Sequence, residues 1–113
     1  MIDPSSVLVV TTESVPGYQV AAMLGDVFGS TSHSSQGSFT ALTSSLKPIS
    51  QGELVHFSRT IENVRLEAIA RLKISAAAKG ANAVVGMRFV MDSISELSIA
   101  ATAYGTAVVL TKQ

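Results

Sequence analysis

The side chains best placed to hold a metal ion are His33, Glu53 and His56. Glu53 and His56 stand three residues apart in a segment with helical patterning, so they share one face across a single turn. Two ligands fall short of the three or four that a protein metal site gathers. Arg59 and Thr60 occupy the next two positions on that face, so no carboxylate extends the pair. His33 lies apart, in a serine- and threonine-rich stretch. Within one chain, His56 reads as a structural or solvated residue. An oligomer changes that count, because subunits around an axis each bring the same residue. If a cofactor binds, these residues answer to a divalent metal ion.

Other constellations read as packing or turns. Met87 and Met91 fall on one face of a strand, where thioethers fill irregular gaps. Asp92 and Glu96 flank a polar turn. No Gly-x-Ser-x-Gly elbow is present, and no histidine has an evident carboxylate to orient it. Gly25-Asp26-Val27-Phe28-Gly29 has no Gly-Lys-Ser/Thr after it, so it is no phosphate loop. The expectation is a protein that is not an enzyme.

Composition narrows the partners. Eight basic residues balance eight acidic ones, and aromatic residues make up 5% of the chain, which argues against nucleic acid and anionic membranes. There is no cysteine, which excludes disulfides, thiolate metal sites and thiol catalysis. The apolar run Val7-Leu8-Val9-Val10 is too short for a signal core or a membrane span, so the expected location is cytoplasmic. Charged residues make up only 14% of 113, against a usual share of about 25%. That deficit predicts apolar surface covered by other copies of the chain.

One domain over residues 1–113 suits this length. Val7 to Thr12 reads as a strand, and Pro16-Gly17 as a turn. A second strand starts at Tyr18 and is expected to break or turn at Gly25. Ser30 to Ser45 reads as a flexible surface loop. Ser50 and Glu53 match a capping box that opens a helix running to Lys79, about 43 Å long. Phe57, Ile61, Val64, Ala68, Leu72 and Ala76 give it one buried stripe, and Glu67 precedes Arg71 as an exposed ion pair. Gly80 suits the left-handed residue that ends the helix.

Val84 to Met91 is apolar at nearly every position, as in a strand buried on both faces. Val84, Val85, Met87, Phe89 and Met91 are therefore the expected oligomer interface. Leu97 to Leu110 is the last strand, and its alanines and Gly105 leave room for the helix. The predicted class is α+β: strands, one long helix, then two more strands in an antiparallel sheet.

Val64-Arg65, Ala81-Asn82-Ala83-Val84-Val85-Gly86 and Gly105-Thr106-Ala107-Val108-Val109 together resemble the YbjQ family of small bacterial and archaeal proteins. Leu24-Gly25-Asp26-Val27-Phe28-Gly29 fits that family's early Gly-x-Val-x-Gly segment. The resemblance runs over nearly the whole chain from Val7. It implies a β-α-β-β subunit, similar to a dodecin subunit, that assembles with itself as a pentameric ring. It also implies heavy-metal binding, the property by which the family is described. The sequence departs from the family at Ser50-Gln51-Gly52-Glu53-Leu54, where a Gly-Gly-Arg segment is usual. Two functions remain: a module binding metal or a small ligand at subunit boundaries, or a ring that serves as a structural platform.

Overall fold

The computed structural model describes residues 2–34, 51–95 and 98–113, without the side chains of residues 33, 34, 51–57, 93–95 and 98. A 3-10 turn, Pro4–Ser6, opens the chain. Asp3 caps it by accepting from the Ser5 amide at 2.9 Å and the Ser5 hydroxyl at 2.8 Å. These two bonds, the amide's first, hold the Asp3 carboxyl below the usual carboxylate range. Four strands follow with one helix among them: β1 (Leu8–Val9), β2 (Tyr18–Ser34), α1 (Gln51–Ala78), β3 (Ala83–Ser95) and β4 (Ser98–Lys112).

The strands form one sheet in the order β1-β3-β4-β2. The fold is α+β as expected, with one refinement: β1 runs parallel to β3, so the sheet is mixed. The first strand is shorter than Val7 to Thr12, yet its backbone bonding continues past Val9. Val10 N–H donates to Val84 O at 2.9 Å, Met87 N–H to Val10 O at 3.0 Å and Gly86 N–H to Thr12 O at 2.8 Å.

β2 does not break at Gly25. It pairs with β4 from Tyr18 to Ser34 and absorbs two bulges, between Val20 and Ala22 and between Met23 and Gly25. A bulge inserts one residue and bends the strand without ending it. Ser30 to Ser34 therefore belong to the strand rather than to a loop; residues 35–45 lie outside the described residues.

Helix α1 lies on one face of the sheet. Val64, Ala68, Leu72 and Ala76 recur every four residues, and all are fully buried. Beneath them sit Val27 of β2, Val84 and Met87 of β3, and Ala101, Ala103 and Ala107 of β4. The expected stripe is present from Val64 onward; Phe57 and the Ser50–Glu53 capping box lie outside what is described. The helix ends where Gly80 reaches φ +85°. Gly80 N–H donates to Ala77 O and Ala81 N–H to Ala76 O, both at 3.0 Å, the paired bonds of a Schellman cap. Both Ala76 and Ala81 are fully buried, so the cap is sealed by an apolar contact.

The opposite face of the sheet is covered only in part. Ala83, Val85, Val108 and Leu110 form a second small core under Val10 and Val15 of the chain's own N-terminal segment. The residues expected at an oligomer interface thus find cover within the chain itself. Val84, Val85 and Met87 are apolar because the helix covers one side of β3 and the N-terminal segment the other. Their side chains are no more than 8% exposed within a single chain. Phe89 and Met91 are partly buried and pack on the core under the helix.

Candidate functional site

The metal candidates sit at one end of the molecule but at different heights. His33 is in β2, in register with Ile99, and Glu53 and His56 are in the first two turns of α1. Their side chains lie outside the described residues. Arg71 reaches Ser30 and Ser75 reaches Phe28, so four helix residues advance with two strand residues. Continuing that register puts His33 near the level of residue 65. His56 is nine residues farther along, a rise of about 13 Å. One chain thus keeps the two histidines apart along the helix axis.

Among the described residues, no three His, Cys, Asp or Glu side chains are grouped as a metal site requires. Arg59 and Asp92 are exposed, and Glu96 is outside the described residues. Met87 and Met91 face the helix as packing groups. Arg65 donates from Nε to Met91 Sδ at 3.4 Å, a contact that ties the helix to β3. The geometry favours packing over soft-metal ligation for both methionines.

The residues of the Ala81–Gly86 run have structural work. Asn82 completes the ladder where β4 outruns β3. Its Nδ2 donates to Leu110 O at 2.9 Å and its Oδ1 accepts from Leu110 N–H at 2.7 Å. The side-chain amide stands in for a missing backbone partner on both counts. Gly29, the last glycine of the early segment, lies directly under the helix. A Cβ there would overlap the Ala68 carbonyl and the Leu72 amide. In the spacing Gly25-x-Val27-x-Gly29, Val27 is buried, Gly29 lets the helix approach, and Gly25 takes the positive φ of +102° at the bulge.

A feature that the sequence reading missed lies along the free edge of β2. Arg71 Nη1 donates to Ser30 O at 2.7 Å, Ser75 Oγ to Phe28 O at 3.0 Å and Lys79 Nζ to Asp26 O at 3.1 Å. Donors at i, i+4 and i+8 meet carbonyls at alternate strand residues because both repeats advance about 6 Å. The signal was present as a polar row flanking the buried Leu72 and Ala76. Arg71 also makes the expected pair with Glu67, at 3.0 Å.

Exposed large apolar side chains gather on the sheet face away from the helix. Residues paired across adjacent strands share a face. Tyr104 pairs with Phe28 on one side and Arg88 on the other, and Val90 pairs with Thr102 one row along. Met23 is 74% exposed, Phe28 55%, Val90 44% and Tyr104 37%. The Phe28 and Tyr104 rings lie 6.5 Å apart with a tilt of 31°. Arg88 is drawn away from them, donating from Nη1 to Thr11 O at 2.9 Å and Met87 O at 2.8 Å. The helix carries an apolar groove on its outer side, with Leu66, Ile69 and Ile74 against Pro4. Among the described residues, no helix is long and apolar enough to cross a membrane.

Comparison with known proteins agrees with this architecture. The structure is similar to the crystal structure of a protein of unknown function from Pediococcus pentosaceus, of the DUF74 family, with a TM-score of 0.63. That match covers 93% of this chain and 98% of the other at 14% identity, a likeness of fold. In sequence, the chain is 43% identical to a UPF0145 protein of Streptomyces griseus over 109 residues, 96% of this chain and 88% of the relative. It is 43% identical to a UPF0145 protein of Mycobacteroides abscessus over 102 residues, 89% and 94% of the two chains. The YbjQ family model, described as "Putative heavy-metal-binding", matches residues 7–111. On that match and those relatives, the chain belongs to the YbjQ family.

Proposed function

We propose that the protein is a non-catalytic, cytoplasmic subunit of a homo-oligomeric ring, a pentamer, that holds a divalent metal ion at subunit boundaries. The observation that carries the assembly is the mismatch between surface and composition. Four large apolar side chains, Met23, Phe28, Val90 and Tyr104, stand uncovered on one sheet face of a chain with 14% charged residues. Antiparallel sheets that face water alternate apolar and polar positions, and these outward positions break that rule. Contact with other copies removes the mismatch without any further element.

The metal follows from the family's description and from donor chemistry. His33, Glu53 and His56 are the residues that would hold it, with His33 and His56 supplied by different copies. A retained ion would thus report on assembly as well as on binding. Titration calorimetry with zinc, copper and nickel tests this reading. Heat saturating at a fixed ratio of ion to subunit is expected. No heat with any of the three would remove the metal and leave the ring as a structural platform.

A further inference from the structure

We propose that Met91 is a site of reversible oxidation by hydroperoxides, and that Arg65 holds the resulting sulfoxide so that α1 stays fastened to β3.

Donor and acceptor are mismatched at this contact. Arg65 Nε donates to Met91 Sδ at 3.4 Å. A guanidinium is a permanently charged donor, whereas a thioether sulfur is a weak acceptor. Among the described residues, Arg65 makes no other hydrogen bond or ion pair. A cation set against the sulfur also disfavours a metal ion there, by like-charge repulsion. One added oxygen atom would supply the strong acceptor that the contact lacks.

The position is open to a small oxidant. Met91 is partly buried at the border of the core under the helix, and Arg65 and the next strand residue, Asp92, are exposed. Two other methionines bracket it: Met23 is 74% exposed and Met87 only 7%. Peroxide therefore reaches Met23 and Met91 ahead of Met87.

The step balances with hydrogen peroxide alone. A lone pair on the Met91 sulfur attacks one peroxide oxygen, and the S–O bond forms as the O–O bond breaks. The proton on the transferred oxygen passes to the departing one, which leaves as water. The sulfur is oxidised by two electrons and the peroxide is reduced by two. Methionine sulfoxide reductases reverse the change.

Two effects then oppose each other. A sulfoxide is polar, and inside a core it disrupts packing. At Met91 its oxygen, one bond from the sulfur, carries the negative end of the S–O dipole beside the guanidinium. The weak N–H···S contact gives way to a charge-assisted N–H···O bond, one of the stronger kinds. Because Met91 stands at the border of core and solvent, its methylene stem stays on the core while the oxygen turns outward. The new bond offsets the packing loss, and the clasp persists through oxidation. Without Arg65 the packing loss stands alone.

The test uses the Met23→Leu protein, a volume-conserving change that removes the exposed methionine, with and without Arg65→Ala. Both are treated with hydrogen peroxide, peptide mass spectrometry locates the added oxygen, and thermal melts compare oxidised with reduced protein. Arg65→Gln, which removes the charge with less loss of packing, repeats the comparison. Met91 is expected to gain one oxygen while Met87 does not. Oxidised Met23→Leu should melt within about 2 °C of its reduced form, and the protein that also lacks Arg65 about 4 °C or more below its own, the scale on which a lost hydrogen bond registers in a domain of this size. With Met91→Leu added, peroxide should leave both melts unchanged. Met91 left unoxidised while Met23 of the wild type is converted would remove the site. Equal falls with and without Arg65 would remove the role of Arg65. A Met91→Leu protein that loses stability in peroxide would place the effect elsewhere and overturn the assignment.

Discussion

Gly29 of β2 lies so close under Leu72 that a single methyl group on it would overlap the Leu72 amide. The glycine sets the distance between helix and sheet, and with it the burial of Val64, Ala68, Leu72 and Ala76. The obstructing atoms are backbone, which cannot swing aside as a side chain could. Gly29→Ala should therefore destabilise the fold by about 1–3 kcal/mol, the usual cost of overpacking. Urea unfolding checks it, and a midpoint equal to that of wild type would contradict it.

Asn82 gives a second prediction. Both of its amide atoms bond to the Leu110 backbone, and truncation leaves that N–H and that carbonyl unmatched. Asn82→Ala should cost about 1–3 kcal/mol. Asn82→Asp keeps an acceptor for the N–H but opposes a carboxylate to the Leu110 carbonyl, so it should not rescue stability. Thermal melts of the two variants, with hydrogen exchange at the Leu110 amide, provide the check.

The edge of β2 supplies a third. Arg71→Ala with Lys79→Ala removes two side chains that cap the carbonyls of Ser30 and Asp26. Both donors are exposed, so the loss of stability should be small, about 1 kcal/mol in total. The larger effect should be on association, because the freed carbonyls become a template for another strand. Turbidity rising with protein concentration in the double variant, and not in wild type, is the expected result.

The histidines give a fourth. If copies share an ion, His33→Ala and His56→Ala should each weaken zinc binding by at least the roughly tenfold that losing even an outer-shell partner of a ligand costs. Loss in only one of the two would show that the other is not a ligand. Calorimetry on both variants separates the cases.

Much of the fold was legible because local rules and packing agreed. Val64 to Ala76 kept helical spacing, Gly80 stood where a left-handed residue is required, and β4 was rich in small residues where the helix crosses. Gly25 misled because a glycine in a strand is compatible with either a turn or a bulge, and only pairing with β4 decides between them. The cover on β3 misled for a related reason. Apolar positions on both faces reveal that both are buried, but not whether the cover is another subunit or the chain's own Val10 and Val15. The row Arg71, Ser75 and Lys79 stands in the sequence as polar residues beside the buried stripe, but its acceptors are backbone carbonyls, which side-chain identity does not reveal. Ligand chemistry was the least legible. Its candidates are His33 in β2 and the pair Glu53 and His56 in α1, which the fold of one chain holds at different levels.

Assembly is therefore the claim on which the rest depends, and native mass spectrometry of the wild-type protein, purified without added metal or chelator, tests it most directly. The expected result is a ring at five times the 11.7 kDa subunit mass, carrying a discrete excess that a chelator removes. A spectrum showing only the 11.7 kDa subunit at micromolar concentration would contradict it.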